Sequence, residues 1–104
     1  MSIITHVTAD LTAEDTYTDP IIPVTSNDYR IKSVGTLNIS IRGTWAGILA
    51  FQRKFADETT WYTVELFYGN IETRAIISEK DVSYRLGFLT GNYTSGTADV
   101  RLSC

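Results

Sequence analysis

From residue 31 onward, apolar side chains recur at nearly every second position, the period of strands with one face buried. In residues 33–42, Leu37, Ile39 and Ile41 fall on one face, and Asn38, Ser40 and Arg42 fall on the other. After the glycine-bearing stretch 43–47, residues 48–55 set Leu49, Phe51, Arg53 and Phe55 against Ile48, Ala50, Gln52 and Lys54. The pattern predicts a hairpin of these two runs, with residues 43–47 as its turn. Residues 56–60 are polar and turn-like. The run 61–68 then places Tyr62, Val64, Leu66 and Tyr68 on one face until Gly69 and Asn70 break it. A further run, 71–78, leads to a polar corner at 78–81. Val82, Tyr84, Leu86 and Phe88 share the next face, and after a turn signal at 91–96, Ala98, Val100 and Leu102 point inward.

Strands spaced roughly 10 to 12 residues apart, with turn signals between them, are the rhythm of an antiparallel sandwich or barrel. No segment longer than a turn keeps the helical period, although residues 51–58 have room for one helical turn. Threonine occurs 15 times against three lysines and one methionine. Branching at Cβ suits a pleated surface and costs helix propensity, so the composition agrees with the pattern. The expected fold is all-β: a single antiparallel β-sandwich, of which a jelly roll is one form, with residues 31–104 as its core.

Residues 1–30 read differently. Asp10, Glu14, Asp15, Asp19 and Asp28 lie there with no lysine or arginine before Arg30. Pro20 and Pro23 flank a short apolar stretch, and proline cannot donate to a central ladder. This acidic segment is expected to be an edge strand or an extended arm. As an arm reaching a neighbouring subunit or shell, its five carboxylates would meet basic groups on the partner.

At 104 residues and 11.6 kDa the chain is one domain, long enough to bury about 65% of its unfolded surface without a metal or disulfide staple. Apolar runs are far too short for a bilayer span, and the first ten residues have neither a basic patch nor an apolar core, so a soluble, non-exported protein without a membrane partner is expected. One histidine, His6, and one cysteine, Cys104, supply too few ligands for a structural zinc site and place any His-based relay in a terminal segment. Cys104 reads as a free thiol or as one half of an intermolecular disulfide. A net charge of −3 with no basic cluster argues against nucleic acid.

Other chemistry is sparse, and no cofactor is expected. Glu65 and Glu72 flank a turn and would approach one another as a glycosidase pair does only if their strands paired; on an outer face they are two solvated carboxylates. Asp57, Glu58 and Asp81 offer oxygens for calcium but match no calcium-loop spacing. Gly87, Gly91 and Gly96 precede no helix and form no phosphate cradle. Asn38 and Asn92 begin glycosylation sequons, expected to be chance without a secretion signal. Trp45, Trp61 and Tyr62, with Tyr68, Tyr84 and Tyr93, offer flat faces for a sugar-stacking platform. Both tryptophans also stand beside turns, where a large ring closes the end of a core. Arg53 is placed to pair with Asp57 or Glu58.

The string Ile41-Arg42-Gly43-Thr44-Trp45-Ala46-Gly47, followed by Leu49 to Phe55, an acidic turn and Trp61, resembles the central motif of small structural proteins of tailed bacteriophages. Tyr84 to Gly87 and Thr90 to Leu102 resemble the ending of the same proteins, so the likeness extends from Leu37 to Leu102. The acidic turn lacks the glycines usual in that family, and residues 1–30 have no counterpart in it. The resemblance implies a β-sandwich without enzymatic activity: a head-decoration or cement protein, made in the bacterial host cytoplasm, that binds the major coat protein of a phage shell. Self-association is expected, since open sandwich edges invite pairing. The alternative expectation is a carbohydrate-binding module on a particle or tail, built on Trp45, Trp61 and Tyr62.

Overall fold

The runs rich in threonine, isoleucine and valine become six strands in the computed structural model, which describes residues 6–23, 35–77, 79 and 81–104. They are β1 (His6–Leu11), β2 (Thr16–Tyr17), β3 (Gly35–Lys54), β4 (Tyr62–Phe67), β5 (Ile71–Ile77) and β6 (Ser83–Ser103), and every pairing is antiparallel. The fold is all-β, as the two-residue period predicts, with no helix among the described residues.

Two long strands carry the architecture. β3 and β6, 20 and 21 residues long, pair with each other from Asn38 opposite Ser103 to Lys54 opposite Ser83. β5 and β4 follow one another along the free side of β3, and β1 and β2 along that of β6. The sheet thus has two four-stranded halves, ordered β1-β6-β3-β5 and β2-β6-β3-β4. Beyond β2, Ile21 and Tyr84 exchange two backbone hydrogen bonds of 2.9 Å.

The expected hairpin between residues 33–42 and 48–55 does not form: both runs belong to β3. The 91–96 signal likewise falls inside β6. Glycines with positive φ, Gly43 and Gly47 in β3 and Gly91 and Gly96 in β6, bend the two strands together instead of reversing either. At the bend Gly47 lies opposite Tyr93 and Leu49 opposite Phe88, so Ile48 alone spans in β3 what residues 89–92 span in β6. Such an irregularity is a bulge, which kinks a strand without ending it. Gly96, opposite Trp45, has φ +85°, and a Cβ there would stand 2.2 Å from the Thr44 carbonyl oxygen.

The alternating residues meet in one buried cluster. Leu37, Ile39 and Ile41, Ala98, Val100 and Leu102, and Val7, Leu11 and Ile77 come from one half; Leu49, Phe51, Phe67, Leu86, Phe88, Tyr84 and Ile21 come from the other, joined by Val82 just before β6. Each large aliphatic or aromatic side chain buried this way contributes about 1.5–3 kcal/mol. Phe88 sits at the bend, meeting Trp45 at 5.7 Å and Tyr93 at 5.1 Å between centroids, both edge to face. Phe51 stacks on Tyr84 at 5.4 Å. Burial raises the Tyr84 phenol above its ordinary pKa.

Of the two forms expected for the acidic segment, an edge strand or an extended arm, β1 takes the first: Val7, Ala9 and Leu11 alternate inward against Leu102, Val100 and Ala98. In residues 61–68 the buried side chain is Phe67, opposite Leu49, whereas Tyr62, Val64, Leu66 and Tyr68 are exposed. These four do not share one face as expected: a bulge sets Gln52 opposite Thr63 and Phe51 opposite Glu65, leaves Val64 without an opposite number, and so puts Tyr62 and Leu66 on different faces.

The bend makes a stability prediction. Gly96→Ala meets both the left-handed backbone and the Thr44 carbonyl, whereas Gly91→Ala, at φ +81° in open space, meets only the backbone penalty. Gly96→Ala is expected to cost about 1–3 kcal/mol more than Gly91→Ala in urea unfolding. Equal costs would contradict the close approach of β3 and β6 at the bend.

Candidate functional site

Antiparallel neighbours share a face, so the register lays out the outer surface of the β1-β6-β3-β5 half as polar rows. His6, Ser103, Asn38 and Arg74 form one; Thr8, Arg101, Ser40 and Glu72 the next; Asp10, Asp99 and Arg42 the third. A shallow groove of about 510 Å³ runs across them, lined by Thr8, Ser40, Arg42, Glu72, Asp99, Arg101 and Ser103. Arg42 donates to Glu72 Oε1 through Nη2 and, at 3.1 Å, through Nε. Hydrogen bonding from Ser40 and then from Arg42 lowers the Glu72 pKa, and the same pairing with Glu72 raises that of Arg42. Both side chains remain more than half exposed, so the pair orders the face more than it stabilises the fold.

The carboxylates assigned to an attachment arm are dispersed. Glu14 Oε2 accepts from the Gly91 amide at 2.6 Å, and Asp15 Oδ1 accepts from the Thr90 hydroxyl at 2.6 Å, so both staple the β1–β2 turn to the bend of β6. Asp10 is exposed and lies opposite Asp99 in the ladder, Asp19 is exposed near the β2 edge, and Asp28 lies outside the described residues. Nothing gathers the described ones into one anionic surface.

Nor do the aromatic residues form one platform. Trp45 is half-buried at the bend, its Nε1 donating to Asn70 Oδ1 at 2.7 Å, while Asn70 Nδ2 donates to the Gly43 carbonyl at 2.9 Å. This amide fills the gap between β4 and β5 opposite the bend of β3. Tyr84 is buried, and Tyr93 packs on Phe88 and donates its hydroxyl to the Gly96 carbonyl at 2.8 Å. Trp61 stands apart from the core, half-buried on the outer face of the other half against Arg85 and Lys54. Tyr62 beside it is 55% exposed.

β4 and β5 do not pair with each other, so Glu65, opposite Phe51, and Glu72, opposite Ser40, are not an acid/base pair. Among the described residues no group of three or more His, Cys, Asp or Glu is arranged to hold a metal. Arg53 lies over the Phe55 ring at 5.2 Å, and Glu58 accepts from the Phe55 amide at 3.3 Å.

What the molecule does present is an apolar edge. Tyr62, Val64, Leu66 and Tyr68, then Ile71 and Ile76, are 40–75% exposed along β4 and β5. Among the described residues these strands pair only with β3, so their other backbone side is open. An open, apolar edge strand is a template for another chain, and natural proteins ordinarily blunt it with charge. Here Glu65 is the one charge in β4. The two-residue period pointed to Tyr62, Val64, Leu66 and Tyr68 as a group but not to their exposure, and Asn70 and Arg85 carried no signal beyond their polarity.

The Glu72 contacts set a pH dependence. A folded pKa below the ordinary value of 4.5 means that the contribution of Glu72 is complete above that value and is lost as pH falls through the folded one. In urea unfolding, Glu72→Gln should therefore be less stable than the parent at pH 7 and converge on it toward about pH 2, with a smaller gap in high salt. A gap independent of pH would contradict the assignment. No protein-family model, curated protein or solved structure matches the chain.

Proposed function

We propose that the protein is a non-enzymatic structural component of a phage virion, a capsid decoration protein that binds the coat shell and stabilises it. The exposed apolar edge of β4 and β5 carries this reading, because a small domain that leaves two tyrosines, a valine, a leucine and two isoleucines open along one side has a surface suited to docking. The resemblance of residues 37–102 to phage structural proteins supplies the partner. The finer architecture is read as a jelly roll, the two four-stranded halves being its layers; their shared hydrophobic cluster and the passage of β3 and β6 from one to the other support it.

The mechanism is binding energy. A decoration protein that holds adjacent coat subunits and has no affinity for separated ones stabilises the shell by mass action, about 2.7 kcal/mol per site at a hundred times its dissociation constant. Attachment through the β4–β5 edge leaves Asp10 and Asp19 on the opposite side of the sheet, so these carboxylates contribute little. Self-association is expected at the same edge.

Purified coat shells should take up the protein to a fixed number of copies and then withstand higher temperature. Leu66→Asp with Ile76→Asp should abolish uptake without changing the monomer's Tm, and Asp10→Asn with Asp19→Asn should leave uptake intact. Shells of equal heat stability with and without saturating protein would end this reading. The carbohydrate alternative keeps one supporting observation, the accessible neighbours Trp61 and Tyr62. It requires that Trp61→Ala abolish binding to a glycan while shell uptake is absent.

A further inference from the structure

The outer face of the β2-β6-β3-β4 half holds a constellation the hydrophobic cluster does not use. Gln52 lies opposite both Arg85 and Thr63, so the three share that face, and Tyr17, opposite Gly87, stands on it one row away. The Arg85 guanidinium carbon is 3.8 Å from the Tyr17 ring centroid and 4.4 Å from that of Trp61. Arg85 Nε donates to Gln52 Oε1 at 2.9 Å, and Gln52 Nε2 donates to Thr63 Oγ1 at 3.3 Å. Lys54 Nζ lies 5.3 Å from the Trp61 centroid. Two rings and a buried amide therefore fix the plane of the guanidinium, and a second cation shares one of those rings.

Among the described residues no carboxylate pairs with Arg85, and its Nη atoms have no hydrogen-bond partner. No buried side-chain nitrogen or oxygen among them lacks a partner, so those Nη atoms reach solvent. Burial lowers the Arg85 pKa, and only the Tyr17 phenol acts in the other direction. An oriented fork, partly dehydrated and open at its edge, matches a planar carboxylate.

We propose that Arg85 and Lys54 form a carboxylate-binding site that receives an aspartate or glutamate side chain of the protein on which this domain docks. The inference rests on the docking reading above and names the chemistry of the contact. An acidic side chain fits better than a sugar acid because cations already lie over the Trp61 ring, where a sugar would stack. Leu66 shares the outer face through its pairing with Ala50, so an extended partner segment can set an apolar residue there and an acidic one at Arg85.

The test uses the protein alone, with a short blocked oligoglutamate as probe and glucuronate and inorganic phosphate as comparison arms, read by NMR at the Arg85 Nε–H and the Trp61 indole N–H. Oligoglutamate should produce saturable shifts at both positions, weakened by salt. Lys54→Ala should bind several-fold more weakly, and Arg85→Lys, which keeps the charge but loses the fork, should not saturate. Shifts that fail to saturate, that persist unchanged in both variants, or that glucuronate or phosphate alone produces would overturn the proposal. Because no shell is present, oligoglutamate binding without shell uptake would sink the virion reading and leave the site standing, whereas shell uptake without oligoglutamate binding would sink the site.

Discussion

β3 and β6 form a single antiparallel ladder that runs through a bend, and every other strand depends on it for a partner. β2 has two residues, β1 and β4 have six each and β5 seven, lengths at which an isolated pair is marginal in water. They persist because the ladder offers them a preformed edge and because their inward side chains complete one cluster. Ile39 and Ile41 on β3 meet Leu102 and Val100 on β6, which in turn meet Val7 and Ala9 on β1. The bend must be accommodated in both strands at once, which is why its glycines occur in both. Where the flanking strands are interrupted beside it, side chains take over: Asn70 on one side, Glu14 and Asp15 on the other.

Most of the strands and their inward faces were legible in the sequence, because a two-residue period needs no knowledge of the partner. Leu37, Ile39 and Ile41, Tyr84, Leu86 and Phe88, and Ala98, Val100 and Leu102 are buried as that period requires. The connections were harder to read. A glycine at positive φ serves a reversal and a bulge alike, and only the course of the other strand distinguishes them, so residues 43–47 and 91–96 read as turns. The face of β4 was lost for a related reason: one unpaired residue, Val64, changes the parity partway along the strand, so Tyr62 and Leu66 fall on different faces.

The candidate surfaces show the same limit. Five acids without a base suggest a charged arm, yet two of them serve as local acceptors for Gly91 and Thr90, a role that depends on the fold of β6. Trp61 signals an exposed aromatic or a core residue equally well, and its position against Arg85 follows from pairings between strands distant in sequence. Composition therefore described the chemistry available, while the bent ladder decided what came together: a polar face ordered by Arg42 and Glu72 on one half, a cation held by two rings on the other, and an apolar edge along both.

Native-state hydrogen exchange tests this dependence on the ladder most directly. If the two halves are held by one continuous pairing, amides of β3 and β6 on both sides of the bend, around Ile39 and Val100 and around Phe51 and Leu86, should open with the same free energy, the global one, while β2 opens at lower cost. Opening of the Phe51–Leu86 side at a much lower free energy than the Ile39–Val100 side would show two independently stable halves and contradict the account.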